Sequence, residues 1–213
     1  MVLQDVLEKW RDSLESNGLR LSRSKTEYMH CPFSKAATTT PRILLDGTPL
    51  PTCTKSKYLG SVVNKDGSCD EDIKHRISTG WLKWQENSTV FCDRKMPPKL
   101  KGRLYTSVVR PALLYGSPCW TMYSTYQQKL TTAEMKMLRM TLGVTKLDKI
   151  RSTHIRGTLH IKQPIVERTE KEQISWYCHI QRRPAENPVQ RALTTTIATN
   201  DKKKRGRRKN TWI

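Results

Sequence analysis

At Asp70 the apolar residues change their spacing from alternate positions to every third or fourth, which restricts the chain to an α+β arrangement: a small sheet-forming segment, then a helical one. Downstream, Ile73, Ile77, Trp81 and Trp84 follow Asp70, Glu71 and Asp72, acids that suit the positive end of a helix dipole. Upstream, residues 19–21, 25–31, 43–45 and 57–63 are short runs with strand character, and Asp46-Gly47 is a strong hairpin signal. The run at 57–63 is expected to end at a turn on Asp66-Gly67. Before these, Leu3, Val6, Leu7, Trp10 and Leu14 predict an amphipathic helix over 2–17, stopped by Asn17-Gly18.

The helical part continues after Pro97-Pro98, since proline is tolerated in a first turn. Leu100, Leu104 and Val108 are expected on one side of that helix, with Lys99, Arg103, Thr106 and Arg110 forming a basic stripe on another. Such a stripe is either a phosphate-contacting face or a solvated one. Pro111 should kink or end the helix. Ser124 with Gln127 resembles a capping box ahead of Leu130, Met137 and Leu138, and Gly143 closes that helix. A last helix follows Pro164, with Val166, Ile174, Tyr177 and Ile180 apolar, and stops before Pro184. The expected organisation is a helix with a small antiparallel sheet over 1–67, helical regions over 68–145 and 146–200, and a disordered basic tail over 201–213.

Charge decides the class of partner. The chain holds 39 Lys and Arg against 19 Asp and Glu, a formal +20, which points to a polyanion, RNA or DNA. The 13 residues of 201–213 carry Lys202, Lys203, Lys204, Arg205, Arg207, Arg208 and Lys209 against one acid and cannot bury enough apolar surface to offset ordering. That run reads as a nucleic-acid arm, a nuclear-import signal or solubilising charge. No apolar run is long enough for a membrane span, and the first residues are unlike a secretory signal, so an intracellular, nuclear location without membrane partners is expected. Six cysteines, at 31, 53, 69, 92, 119 and 178, form no CxxC pair and suit reduced thiols. Cys178-His179 lacks a second pair at ligand spacing, and the helix dipole already accounts for Asp70 and Asp72, so no metal ligands are assigned.

Seven local patterns then occur in one order: GLRLSRSKTEYM at 18–29, KYLGSVVNKDG at 57–67, HRISTGWLKW at 75–84, VVRPALLYGSPCW at 108–120, AEMKMLRMTLG at 133–143, ISWYCHIQRRP at 174–184 and RGRRKNTW at 205–212. Together they resemble the C-terminal portion of a non-LTR (LINE-type) retrotransposon reverse transcriptase of the RTE clade. The resemblance implies the end of a palm over 2–31, a primer-grip hairpin over 57–63, a thumb over 70–145 and a basic extension beyond. Ser22, Cys178 and Arg208 depart from the family's usual Asn, Gly and Pro.

By that resemblance Gly18 and Lys25 match the glycine and lysine of the last palm motif, the lysine lying near the leaving pyrophosphate; an exposed strand lysine is the alternative. Tyr58, Leu59 and Gly60 match the hairpin that holds a primer end, against an ordinary edge hairpin. The intact family enzyme uses Mg²⁺ held by an early palm aspartate and a Tyr/Phe-x-Asp-Asp turn. This chain has no Asp-Asp dipeptide, and the resemblance places Met1 just downstream of where that turn would stand. The expectation is a nucleic-acid-binding chain with no catalytic residues, no cofactor of its own and no enzyme activity. The alternatives are a host-adopted nucleic-acid- or chromatin-binding protein and a degraded transposon product.

Overall fold

The computed structural model describes residues 2–32 and 42–194. The chain divides into two compact units, Met1–Ser68 and Cys69–Ile213, and its class is α+β. The basic run at 201–213 lies outside the described residues.

In the first unit, α1 (Val2–Ser16) ends at Asn17 and at Gly18, whose φ of 81° is the left-handed conformation glycine adopts without a Cβ penalty. Gln4 behaves like a strand neighbour: its amide donates to the Leu44 carbonyl (2.6 Å) and accepts from the Leu44 N–H (2.9 Å). Glu8 accepts from the Asp46 N–H (3.0 Å), and Arg11 pairs with the Asp46 carboxylate (3.2 Å). The helix thus turns its polar face to β1 (Leu44–Leu45), which pairs antiparallel with β2 (Thr48–Pro49). Asp46 and Gly47, with φ of 52° and 70°, form the expected turn, and Ile43 and Leu45 are the buried apolar residues beside it. Leu3, Trp10 and Leu19 stay 56, 66 and 60% exposed.

Strands expected at 19–21 and 25–31 do not form. The Ser22 carbonyl instead accepts from the Lys25 and Thr26 N–H groups in a turn, and only Tyr28 finds a bridge, parallel to Thr52. The 57–63 run is also divided: β3 (Lys55–Tyr58) turns at Leu59-Gly60 and returns as β4 (Ser61–Asn64), so two separate hairpins replace one sheet.

The second unit is built from α2 (Asp70–Glu86), α3 (Ser88–Cys92), α4 (Pro98–Leu104), α5 (Arg110–Leu114), α6 (Ser124–Leu142), α7 (Ser152–Thr158), α8 (Ile165–Gln181) and α9 (Pro188–Thr194). Its core joins Ile73, Phe91, Val109 and Leu138 to Ile155, Leu159 and Ile165, so residues on both sides of position 145 share one apolar cluster. Trp84 stacks on Phe91 at 5.6 Å and donates to the Thr141 hydroxyl (3.1 Å). Asp72 does more than face a helix dipole: it is buried and accepts from the Trp120 indole (2.8 Å). Asp70 stays at the surface, where hydrogen bonds from Lys129 and Lys74 hold its carboxyl below the usual range. At the start of α6 the N-cap is Tyr123, with no side-chain cap bond, so Ser124 and Gln127 do not form the anticipated box; Gly143, at φ 68°, does close the helix.

Pro111 does not end its helix. A π-helical turn (Tyr105–Val109) joins α4 to α5, and the Arg110 N–H reaches the Tyr105 carbonyl five residues back. Widening the turn just before a ring that lacks an N–H accommodates what an α-turn would force into the carbonyl four residues back. Lys101, Gly102, Tyr105, Val109 and Leu113 face inward, while Leu100, expected inside, is 46% exposed.

Candidate nucleic-acid interface

The basic stripe is only partly a surface feature. Lys99, Arg103 and Thr106 are exposed on α4 and the π turn, and neither Lys99 nor Arg103 has an ion pair among the described residues. Arg110 is a correction: it is 8% exposed and donates to Glu134 (2.6 Å) and to the Gln163 carbonyl (2.9 Å). Position along a helix predicted it to share the stripe, but a fully buried carboxylate one helix away draws its guanidinium inward.

Glu134, on α6, has no exposed surface and gathers four elements. Besides Arg110 it accepts from the Tyr105 hydroxyl (3.4 Å), Arg156 Nε (3.4 Å) and the Ile165 N–H (3.3 Å). Burial, and next the neighbouring carboxylate, push the Tyr105 phenol well above its ordinary pKa, so it remains a neutral donor. The cluster fixes α5, α7 and the start of α8 against α6. Lys101 is likewise buried, donating to the Thr141 carbonyl (3.4 Å).

That scaffold shapes a groove of about 470 Å³ between the helix carrying Thr106, Arg110, Pro111 and Leu114 and the connection His160–Gln163, with Arg168 and Glu172 beyond. Gly102 brings the two sides together, since a Cβ there would stand 1.8 Å from the Leu159 carbonyl oxygen. His160 (φ 54°) ends α7 in the left-handed conformation, its N–H bonded to the Gly157 carbonyl (3.0 Å) and the next N–H to that of Arg156 (2.9 Å). Ile161 is thereby buried between exposed His160 and Lys162. Sequence reading missed His160, Lys162 and Arg168; the one signal available was basic residues on both sides of the helix-starting Pro164.

In the first unit, Gly18 is a helix cap and Lys25 an exposed residue of the turn after it. Tyr58 pairs with Ser61, and Leu59 and Gly60, with φ of 47° and 89°, form the tip of their hairpin. A left-handed leucine is uncommon and costs roughly 1–2 kcal/mol, and here it is 76% exposed. Lys202, Lys203, Lys204, Arg205, Arg207, Arg208 and Lys209 lie outside the described residues. Among the described residues no group of His, Cys, Asp and Glu could hold a metal ion, and no helix is long and apolar enough to cross a membrane. All six cysteines are free thiols.

No protein-family model and no solved structure matches the chain. Over 130 residues, 59% of its length, the chain is 25% identical to an uncharacterized transposon-derived protein of Caenorhabditis elegans, of which it spans 46%. That similarity is to a transposon-derived protein and supports a transposon-related origin.

Proposed function

We propose that the chain is a nucleic-acid-binding, catalytically incomplete fragment of a retrotransposon RNA-directed DNA polymerase, which holds template and primer strands by their phosphates. The observation that carries this reading is the exposed Lys99, Arg103 and Thr106 face, whose cations have no acidic partner among the described residues, in a chain of net charge +20. The transposon-derived relative and the seven ordered motifs supply its family context. The intact enzyme of that family uses Mg²⁺ held in part by an Asp-Asp turn, a dipeptide these 213 residues do not contain. On this reading Lys25 and the hairpin at Tyr58, Leu59 and Gly60 contribute contact to the bound strands. The basic run at 202–209 adds affinity as a binding arm, the alternatives being an import signal or solubilising charge. A host-adopted binding protein would use the same surface.

The purified chain is expected to extend no primer with Mg²⁺ or Mn²⁺, yet to bind mixed-sequence RNA and DNA with strong salt dependence. Each lost phosphate contact on a single strand lowers the slope of log affinity against log salt by about 0.7, so Lys99→Glu with Arg103→Glu should lower it by about 1.4 and deletion of 201–213 by up to about 5. Unchanged slopes in both variants would remove the interface from these residues.

One observation favours the degraded-product reading. α1 presents Leu3, Trp10 and, past its cap, Leu19 to solvent while its polar face is used internally. Large apolar side chains left exposed in this way favour self-association where they lie together. On that reading Trp10→Gln reduces light scattering and hydrophobic-dye binding without altering affinity for nucleic acid; no change in scattering or dye signal would count against it.

A further inference from the structure

We propose that the groove beside His160 holds one unpaired nucleotide, making the chain a reader of single-stranded rather than duplex nucleic acid; this rests on the nucleic-acid reading above. The groove's volume of about 470 Å³ falls within the roughly 300–1,000 Å³ of small-ligand sites. Its lining is divided in the way a nucleotide is. Pro111, Leu114 and Ile161 offer an apolar wall, and Lys162, Arg168 and the Thr106 hydroxyl lie among its polar residues.

The charges favour an anion. Arg168 is bonded to Glu172 (2.8 Å) and Arg110 is bonded to Glu134, whereas exposed Lys162 has no ion pair among the described residues and leaves the groove with uncompensated positive charge. A free phosphate would leave the apolar wall unused, and an aliphatic ligand would leave the cations unused. The exposed imidazole of His160 and the guanidinium plane of Arg168 are the groups at the groove on which an extruded base can stack. In a duplex the bases stack on one another and cannot enter.

The groove also continues the exposed face. Lys99, Arg103 and Thr106 follow at four- and three-residue steps, a rise of about 6 Å and then about 4.5 Å along one side of the helix, and Thr106 is itself part of the groove wall. A strand whose phosphates follow Lys99 and Arg103 would reach the groove at Thr106.

The test uses the full chain and the fluorescence anisotropy of a labelled 12-nucleotide strand, the same strand carrying abasic positions, and the matched duplex. His160→Gly removes the ring at a left-handed position that glycine adopts freely, so the fold is retained. It is expected to weaken single-strand binding about tenfold, the effect of losing one base stack, and to leave duplex binding unchanged. Lys162→Glu should weaken single-strand binding further, and the abasic strand should bind the unaltered chain as weakly as the normal strand binds His160→Gly. If His160→Gly changes neither affinity, or lowers both equally, the nucleotide site is overturned while the nucleic-acid reading stands. Equal affinity for abasic and normal strands overturns it too. If the unaltered chain binds none of the three probes, the nucleic-acid reading falls and the site with it.

Discussion

Replacing Glu134 with alanine is expected to lower the stability of the helical unit by about 3–5 kcal/mol, the usual consequence of removing one partner from a buried charge cluster. The loss is not that of a single hydrogen bond. Arg110 and Arg156 would both remain, the first 8% exposed and already holding a buried Nε with no hydrogen-bond partner, and the Tyr105 hydroxyl and Ile165 N–H would lose their acceptor. Each unsatisfied buried group costs about 1–3 kcal/mol. Arg156→Ala should cost less, because Arg110 at 2.6 Å still compensates Glu134, whereas Arg156 approaches it only to 3.4 Å. Denaturant unfolding followed by tryptophan fluorescence separates the cases, since Trp84 and Trp120 are buried in the same unit. An unchanged midpoint in Glu134→Ala would mean that the cluster does not organise this unit, and the groove would lose its support.

How much of this was legible in the sequence depended on the range of the interaction that decided each feature. The hairpin at Asp46-Gly47 and the helix from Asp70 were legible because a local rule, left-handed turn residues or a 3.6-residue period, was enough. The 25–31 run failed because a strand needs a neighbour, and only Tyr28 found one. The buried face of the helix after Pro98 was misplaced because Lys101 and Tyr105 take the inward positions, their polar atoms satisfied by Thr141 and Glu134 far along the chain, while Leu100 stays 46% exposed. Arg110 could not be read correctly from its own helix, since its partner Glu134 stands 24 residues on. The exposed Lys99 and Arg103 were visible as a stripe, but Lys162 and His160 reach the same region only through the close approach of two backbones at Gly102.

That approach yields a substitution whose sign runs against helix propensity. Gly→Ala inside a helix ordinarily stabilises by about 0.5–1 kcal/mol, through the unfolded chain's lost freedom. Gly157→Ala should do so, because a Cβ there meets nothing within 4 Å. At Gly80 the new methyl would lie 2.4 Å from Leu113 Cδ2 and 2.5 Å from its Cγ, in a fully buried core side chain, so overpacking should outweigh the propensity gain while leaving the backbone in place. At Gly102 the obstacle is the Leu159 carbonyl oxygen at 1.8 Å, and backbone cannot yield without moving α4 away from the end of α7. Gly102→Ala is therefore expected to destabilise by about 1–3 kcal/mol or more, as overpacking does. It should also weaken nucleic-acid binding in whatever fraction stays folded, because the displaced connection carries His160 and Lys162 away from Thr106. Thermal unfolding of the three alanine variants gives the order Gly157, Gly80, Gly102 from most to least stable. If Gly102→Ala instead matches Gly157→Ala, the two backbones are not in contact and the groove has no closed wall.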